Sequence, residues 1–184
     1  MLTRKIALES VKANIEDKYL IRHLLAVEAV MRDLAKYLNE DVEEWGLTGL
    51  LHDIDMELTE GDMNAHSKLG ADLVLDLGGS DSMAHAILSH NDTQGIPRET
   101  KLDKALYCAD PLADLIIAYS LKQPVKKIID LNMYLIENSY HDIDFAVGIS
   151  REKIATCHEL GIKLTDFMEL GLTAMKHIAS NLDL

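Results

Sequence analysis

The sequence predicts an all-α protein, and three observations support this. Hydrophobic residues make up 48% of the 184 residues but aromatic residues only 5%. Leu, Ala, Ile and Met are abundant, and these residues favour helices over strands. Apolar positions recur with the period of a helix, and we find no convincing strand, internal repeat, low-complexity tract or linker. We therefore expect one domain over residues 1–184, built as a bundle of about eight to ten helices.

The first three helices are predicted from their caps and apolar stripes. Thr3 and Asp17 can cap the first two, because their side-chain oxygens can accept hydrogen bonds from free N–H groups at a helix start. The second helix has an apolar stripe at i, i+3, i+4 and i+7, and His23 lies inside that stripe. The third is expected to run from about Val42 to His52.

Two further helices are predicted in the middle of the chain. Asn64 can cap a helix that Gly78-Gly79 ends. Ser80 or Asp81 can open the next, which ends at Ser89-His90. Residues 91–97 are expected to form a loop, because Gly95 and Pro97 break regular structure.

A long apolar segment follows, capped by Thr100 and extending over residues 102–121. Pro111 lies inside it, and a proline in a helix interior costs about 3 kcal/mol or more and kinks the helix. We therefore expect a break directly after Asp110, which is an acid in an otherwise apolar run.

The C-terminal third is predicted to contain four more helices and no residue with an assigned chemical role. Pro124 can open the first, which has Val125 and Leu131 on one face. Ser139 and Asp142 could form a capping box for a short helix to Gly148. Ser150 can cap a helix to Leu160, and Thr165 can cap the last, which runs to about Asn181.

Composition also bounds the partners. The formal charge of −13 repels nucleic-acid backbones, so we expect no nucleic-acid partner, although a bound metal could still attract a small phosphorylated substrate. No apolar run approaches the length needed to cross a membrane, and the N-terminus lacks a signal-peptide core. These features predict a cytoplasmic protein with no membrane partner. Cys108 and Cys157 are isolated, and we expect them to be reduced and buried.

Six histidines and acids lie near helix ends or on apolar faces: His23, His52, Asp53, His66, His90 and Asp110. Taken singly, each is more often a structural residue. As a set they suit divalent metals, because imidazole nitrogens and carboxylate oxygens are good ligands. Mixed ligands of this kind favour Fe, Mn, Co, Ni or Zn over Mg or Ca. Two such ions about 3.5–4 Å apart, bridged by one carboxylate, can hydrolyse a phosphoester.

His85 competes with His90 for a ligand role. The two are five residues apart, which is about 500° of helical turn, so they point about 140° apart. Only one can face the site, and the helix-end position favours His90.

The order of His23, His52-Asp53 and Asp110 resembles the motif of the HD-domain superfamily of metal-dependent phosphohydrolases. The additional histidines, His66 and His90, resemble the members that hold two metals. Over nearly the whole chain, the sequence is most similar to a group of bacterial and archaeal proteins described as HD-superfamily hydrolases without an assigned substrate.

Two longer segments support this resemblance. Residues 66–71, His-Ser-Lys-Leu-Gly-Ala, resemble the HxxxGA helix of two-metal members, including the bacterial diadenosine tetraphosphatases. Residues 102–110 resemble their final metal-binding helix. The resemblance implies a helical bundle of the HD type, with a metal-binding core over residues 17–121 and C-terminal helices over residues 122–184.

The resemblance also implies a ligand set. One metal would be held by His23, His52, Asp53 and Asp110. The second would share Asp53 as a bridge and add His66 and His90. Under this resemblance a bridging hydroxide would attack phosphorus in line. Asp53 and His52, as ligands of the ions, would be the catalytic residues.

The implied function is hydrolysis of a small phosphorylated substrate, above all a nucleotide, with two divalent transition-metal ions. Lys68 and Arg98 are candidates for binding its phosphate, with solvated surface charge as the alternative. Asp55, Glu57 and Asp92 could orient a ligand, but ordinary solvated charge is the favoured interpretation.

Two other functions stay open. The same ligand order resembles the di-iron HD-fold oxygenases that cleave C–C or C–P bonds. A non-catalytic HD-fold binding module could also keep the scaffold.

Overall fold

The computed structural model describes residues 2–124 and 127–184. Within these ranges the protein contains helices and turns and no strand, so the predicted all-α fold is confirmed. The ten α-helices of this described part are α1 (Arg4–Asn14), α2 (Lys18–Leu38), α3 (Val42–Leu51), α4 (Lys68–Asp76), α5 (Asp81–His90), α6 (Lys101–Lys122), α7 (Met133–His141), α8 (Arg151–Ala155), α9 (Leu164–His177) and α10 (Ala179–Leu182).

The two long helices, α2 and α6, form the centre of the bundle. α2 packs against α3, α6 and α9, while α6 also packs against α5 and α8. Their apolar faces are fully buried, as at Leu24 and Leu34 of α2 and at Leu106 and Leu115 of α6. Burial of each such side chain stabilises the fold by about 1.5–3 kcal/mol. The core therefore fixes α2, α3, α5 and α6 against one another.

α2 and α3 approach each other closely at Gly49. A Cβ atom at this position would lie 2.9 Å from the backbone oxygen of Val27 and 3.0 Å from Cγ of Met31. Real Cβ atoms almost never come this close to backbone, so a larger residue would push the two helices apart. The small residue thus brings His23 on α2 near His52 at the end of α3.

Gly49→Val is therefore expected to lower the free energy of unfolding of the metal-free protein by at least about 2 kcal/mol, because overpacking displaces backbone. Urea unfolding followed by circular dichroism measures this. Gly148→Val is the matched control, since a Cβ at Gly148 has no neighbour within 4 Å. Equal destabilisation by both substitutions would contradict the close-contact explanation.

A buried charge cluster ties the first three helices together. Glu28 of α2 is 3% exposed and accepts hydrogen bonds from Arg4 at 2.7 and 2.9 Å and from Arg32 at 2.9 Å. Arg32 also donates a hydrogen bond to the carboxylate of Glu43 of α3 at 2.7 Å. The buried carboxylate is thus fully paired, which avoids the cost of an isolated buried charge.

Most predicted helix starts are confirmed. Thr3, Asp17, Ser80 and Ser150 each accept a hydrogen bond from a backbone N–H in the first turn of their helix. Thr100 forms a capping box with Asp103 at the start of α6. These side chains satisfy N–H groups that would otherwise be unpaired.

The predicted cap at Asn64 is wrong. Residues 52–67 form a series of turns, and α4 begins only at Lys68. The backbone N–H of Asn64 is bound at 2.9 Å by Asp62 instead. The acids in this stretch capture backbone N–H groups and hold it in turns, which the helical apolar pattern of residues 65–74 did not reveal.

The predicted break after Asp110 is also wrong, because α6 is one continuous helix with Pro111 in its interior. Proline removes one backbone donor from the ladder. Burial of the apolar residues on both sides of Pro111, such as Leu106 and Leu112, compensates for this loss.

The C-terminal third differs most from the prediction. The helix expected after Pro124 lies partly on Val125, outside the described residues, and Ile128–Asp130 form a single 3-10 turn. The Ser139/Asp142 capping box is wrong: Ser139 lies inside α7, which Asn132 caps, and the chain after Asp142 forms turns and bends.

The last two predicted helices also differ from the structure, the first in its second half and the other in its start and its continuity. After α8, Thr156–Leu160 continue as a 3-10 helix that ends at Gly161 with φ +75°. Thr165 lies inside α9, which begins one residue earlier at Leu164, and the expected single helix to Asn181 is divided into α9 and α10.

Both cysteines are free and buried, as predicted. Burial raises the pKa of Cys157 to about 11 and that of Cys108 well above its ordinary value. Thiolate is the reactive form of cysteine, so neither side chain suits nucleophilic or redox chemistry. Among the helices that the structure describes, none combines the length and apolar character of a membrane span.

The C-terminal helices contact the predicted core. α8 packs on α6, and α9 packs on both α2 and α6. The organisation as one domain over residues 1–184 stays a prediction, which this packing supports.

Candidate metal centre

The structure brings together all six predicted ligand candidates. His23 lies on α2 and Asp110 on α6, while His52 and His90 stand at the C-terminal ends of α3 and α5. Asp53 directly follows His52. His66 lies in the turns before α4, so five separate segments meet at one place. All four histidines are buried, so the site is internal: the exposed fraction is 0% for His52, 2% for His66, 3% for His23 and 5% for His90.

One group consists of His23, His52 and Asp110. Nε2 of His23 lies 3.3 Å from Nε2 of His52 and 3.2 Å from Oδ1 of Asp110. Nε2 of His52 lies 3.8 Å from the same Asp110 oxygen. These three atoms are close enough to bind one ion.

A second group consists of His52, Asp53 and His90, whose ligand atoms also lie within 4.8 Å of one another. Oδ1 of Asp53 is 3.2 Å from Nε2 of His90 and 3.4 Å from Nε2 of His66. Oδ2 of Asp53 is 3.4 Å from Nε2 of His52. The Asp53 carboxylate therefore lies between the groups, with one oxygen toward His52 and the other toward His66 and His90.

The other ring nitrogen of each histidine has an acceptor beside it. Nδ1 of His52 donates to the carbonyl of Gly49 at 2.9 Å, and Nδ1 of His90 donates to the carbonyl of Ile87 at 2.6 Å. A proton on Nδ1 leaves a lone pair on Nε2. In both residues that lone pair faces the cluster.

In His66 and His23 the acceptor beside Nδ1 is a carboxylate instead of a backbone carbonyl. Nδ1 of His66 is 2.8 Å from Oδ1 of Asp55. Nδ1 of His23 is 2.9 Å from Oδ1 of Asp114, off the line of a straight hydrogen bond. Outer contacts of this kind are typical of histidines that bind metals. The donor set therefore fits divalent cations.

The two carboxyl groups are held as anions. Burial alone would raise the pKa of Asp53, but His52 and then His90 outweigh it and hold this pKa far below its usual value. Burial also opposes the charge on Asp110, and His23 and His52 hold its pKa well below the usual range. Negative charge is thus concentrated at the centre of the cluster.

The histidines respond in the opposite direction. Burial alone would lower the pKa of His23, but Asp110 and then Asp114 raise it well above the ordinary value. Burial also opposes the charge on His52, whose pKa Asp53 and Asp110 raise. The cluster therefore attracts positive charge, and in the absence of a metal that charge is protons.

Three other predicted positions lie outside the cluster of ligand atoms. The side chain of Lys68 is exposed at the start of α4. The guanidinium of Arg98 lies 3.6 Å above the ring of Tyr107 and donates to the carbonyl of Ser89 at 3.1 Å. His85 faces Asp103, at 3.1 Å between Nδ1 and Oδ2, which supports the choice of His90 over His85.

The interpretation as solvated charge is wrong for Asp55, whereas Glu57 is partly exposed and orients no histidine of the cluster. Asp55 is fully buried behind His66, and Glu57 binds the backbone N–H groups of Glu16 and Asp17 at 2.8 to 3.1 Å. Asp92 is half exposed but paired, with Lys153 at 2.8 Å and Arg98 at 3.2 Å.

Sequence reasoning missed Asp114 and Lys153. Asp114 follows Asp110 by four residues on one helix, so the spacing could have placed both on one face. No sequence signal indicates Lys153, because α8 reaches this region only through the packing of the C-terminal third.

An all-α bundle with two groups of histidine and aspartate that could hold metal ions defines the class of this protein. The chain belongs to the HD domain family, whose model matches residues 20–119. These residues include all six clustered side chains. The predicted family is therefore confirmed, and with it a phosphohydrolase fold that has a buried His/Asp cluster consistent with a metal site.

One curated relative is Ribonuclease Y of Lawsonia intracellularis. It is 29% identical over 93 residues, which are 50% of this chain and 18% of that protein. The chain thus matches less than a fifth of the length of this relative. No solved structure matches the chain.

Proposed function

We propose that the protein is a phosphohydrolase that uses two divalent transition-metal ions and acts on a nucleotide or another small phosphoester. The observation that supports this most is the orientation of the four histidines. Each has Nδ1 beside an oxygen acceptor, while its Nε2 faces other Nε2 or carboxylate atoms. Lone pairs and anions that face one another repel unless cations lie between them.

His23, His52 and Asp110 would hold one ion, and His66 and His90 the other, with Asp53 shared. Bound ions of this kind supply an activated water at neutral pH and positive charge for phosphoryl oxygens. The acceptors beside each Nδ1 hold the histidine rings in place. The buried histidines also exclude bulk water from one side of the centre. Asp53 and Asp110 keep the centre anionic enough to bind cations.

The substrate end of the site lies on the side of Asp92 and Tyr107. Asp92 follows His90 by two residues, and Tyr107 lies one helical turn before Asp110. Two cations, Arg98 and Lys153, lie 3.6 and 4.6 Å from the centroid of the Tyr107 ring. With Asp92 they leave a net positive charge in a protein whose formal charge is −13. We place the outer phosphate or base of the substrate here, and retain exposed Lys68 as a weaker candidate.

A phosphoester panel tests the function. The purified chain would be loaded in turn with Mn, Fe, Co, Ni or Zn and mixed with mononucleotides, dinucleoside polyphosphates, cyclic nucleotides, bis(p-nitrophenyl) phosphate and an RNA oligonucleotide. We expect release of phosphate or nucleoside from at least one small compound. The RNA is included because of the name of the curated relative, and the charge of −13 predicts no cleavage of it.

The panel also separates the alternatives. A metal-loaded protein that is inert across the panel would contradict the proposal. Oxygen consumption by the iron-loaded protein, with a mixed-valent EPR signal, would then favour the oxygenase. A chain that binds no metal and keeps its fold would favour a binding module.

Lys153→Ala is expected to raise KM by up to about fivefold, because a partly exposed charge contact is worth up to about 1 kcal/mol. The value of kcat should stay within about twofold, since Lys153 does not touch the ligand cluster. Steady-state kinetics with the compound found in the panel measure both. Lys163→Ala, at an exposed lysine before α9, is the matched control. Equal changes in KM for both variants would show that only general charge matters.

A further inference from the structure

A single buried carboxylate lies behind His66. Asp55 is 0% exposed, and its Oδ1 is 2.8 Å from Nδ1 of His66. Its Oδ2 accepts hydrogen bonds from the backbone N–H groups of Ser67 and Gly70, both at 2.8 Å. Three N–H donors therefore converge on one side chain.

The two backbone contacts hold the start of α4. Ser67 occupies the N-cap position with φ +71° and makes no capping hydrogen bond with its own side chain. Asp55 takes over this role from 12 residues earlier in the chain. A Cβ at Gly70 would lie 3.2 Å from Cγ of Asp55, so glycine permits the close approach. The carboxylate that caps α4 therefore also contacts the ring of His66.

The four histidines show why His66 needs a side-chain acceptor. His52 and His90 stand at helix ends, where the carbonyls of Gly49 and Ile87, three residues earlier, are free to accept. His66 lies in turns, and the carbonyl three residues before it, at Met63, is bound by the side-chain amides of Asn91 and Gln94. A carboxylate from elsewhere in the chain fills the gap.

We propose that Asp55 is the positioning residue of the second metal ion. It keeps the proton of His66 on Nδ1 and turns the lone pair of Nε2 toward Asp53. It thereby raises the affinity of the second ion while leaving the first unaffected. The proposal rests on the two-ion centre of the proposed function. Asp114 of α6 lies beside His23 of α2 and is the counterpart of Asp55 for the first ion.

Asp55→Asn tests this, because asparagine keeps the shape but cannot accept from all three donors. The measurement is Mn²⁺ binding to the full chain, followed by the EPR signal of free Mn²⁺. We expect the affinity of the second ion to fall about 10- to 100-fold, the usual cost of losing an outer partner of a metal ligand. The affinity of the first ion should stay within about twofold.

A double-mutant cycle separates positioning from a general effect on the fold. In the His66→Ala background, Asp55→Asn should cause no further loss of Mn²⁺ affinity, because the residue acts through His66. Asp114→Asn is the matched control and should weaken the remaining ion in that same background. An equal loss from Asp55→Asn with and without His66 would overturn the proposal, as would an unchanged second affinity.

Thermal unfolding in chelator monitors the fold of each variant. If Asp55→Asn does not fold, Gly70→Ala replaces it, since the added methyl group displaces the carboxylate and should weaken the second ion alone. Unchanged Mn²⁺ binding in that variant would then count against the positioning role. A wild-type chain that binds fewer than two ions would contradict the two-ion centre itself. Two ions bound with the same two affinities in wild type and in Asp55→Asn would contradict only the role of Asp55.

Discussion

Asp53→Ala is expected to abolish phosphoester hydrolysis, with a fall in kcat/KM of at least about 10³-fold, or about 4 kcal/mol of transition-state stabilisation. The physical reason is the position of this carboxylate. Its two oxygens contact His52 on one side and His66 and His90 on the other. The substitution therefore removes a ligand from both proposed ions at once.

Metal analysis and kinetics measure the result together. The variant should bind less than one ion per chain under conditions in which the wild type binds two. Asp72→Ala is the matched control, because Asp72 is an exposed acid on α4. A folded Asp53→Ala variant that retains both ions and its turnover would refute the shared-ligand arrangement. Normal metal binding with lost turnover would instead place Asp53 in the chemistry alone.

The clustering of the six side chains could be predicted from sequence because they follow a motif whose order is set by the fold. His52-Asp53 and His90 stand at helix ends that apolar periodicity and caps already mark. Once His23 and Asp110 are assigned to α2 and α6, the packing of these two helices leaves few ways to arrange the rest. The structure brings all six side chains together, as the motif predicts.

The outer contacts were much harder to predict. Asp55 lies in turns whose course depends on hydrogen bonds to N–H groups 12 and 15 residues later in the chain. No local pattern distinguishes it from exposed acids such as Asp62 in the same polar stretch. The burial of Asp55 follows from tertiary structure. Its proposed positioning role depends on its contact with the ring of His66, which lies 11 residues later in the chain.

The C-terminal third could not be predicted for a related reason. Short helices depend more on packing than on intrinsic propensity, so their boundaries are weakly encoded locally. α8 has only five residues and α10 only four. The location of Lys153 on α8 was therefore not predicted, although its Nζ lies 2.8 Å from Oδ2 of Asp92.

Removal of the metals is expected to lower the stability of the folded protein by about 5 kcal/mol at pH 8 when each free ion concentration is 100 times its Kd, since each ion contributes about 2.7 kcal/mol. For a chain of this size that corresponds to a fall in Tm of roughly 10–20 °C. Thermal unfolding with Mn²⁺ and with chelator measures the difference.

The stabilisation should shrink as the pH falls from 8 toward 6. His23 and His52 have raised pKa values, so protons occupy the cluster in the metal-free protein, and each ion must displace them. Falling pH therefore weakens metal binding. Asp53 and Asp110 have lowered pKa values and stay ionised throughout this range, so they do not contribute to the change.

The sign for the metal-free protein is the reverse. A histidine with a raised folded-state pKa adds stability that is complete below its unfolded-state pKa of about 6.5 and is lost as the pH rises through the folded-state value. The metal-free protein should therefore become less stable as the pH rises toward 8, while the metal-bound protein becomes more stable because its ions bind more tightly. The Tm gap between the two forms must widen with pH.

His23→Gln provides the control for this behaviour, because glutamine keeps a polar side chain without the titration. The metal-free variant should lose much of its pH dependence between pH 6 and 8. A Tm gap that stays constant with pH in the wild type would contradict proton displacement by metal. Since protons and divalent ions compete for the same lone pairs, the cluster stabilises the fold only when one of them occupies it. The buried histidines and aspartates thus destabilise the metal-free fold at alkaline pH, and the proposed metal-dependent function explains why the chain carries them.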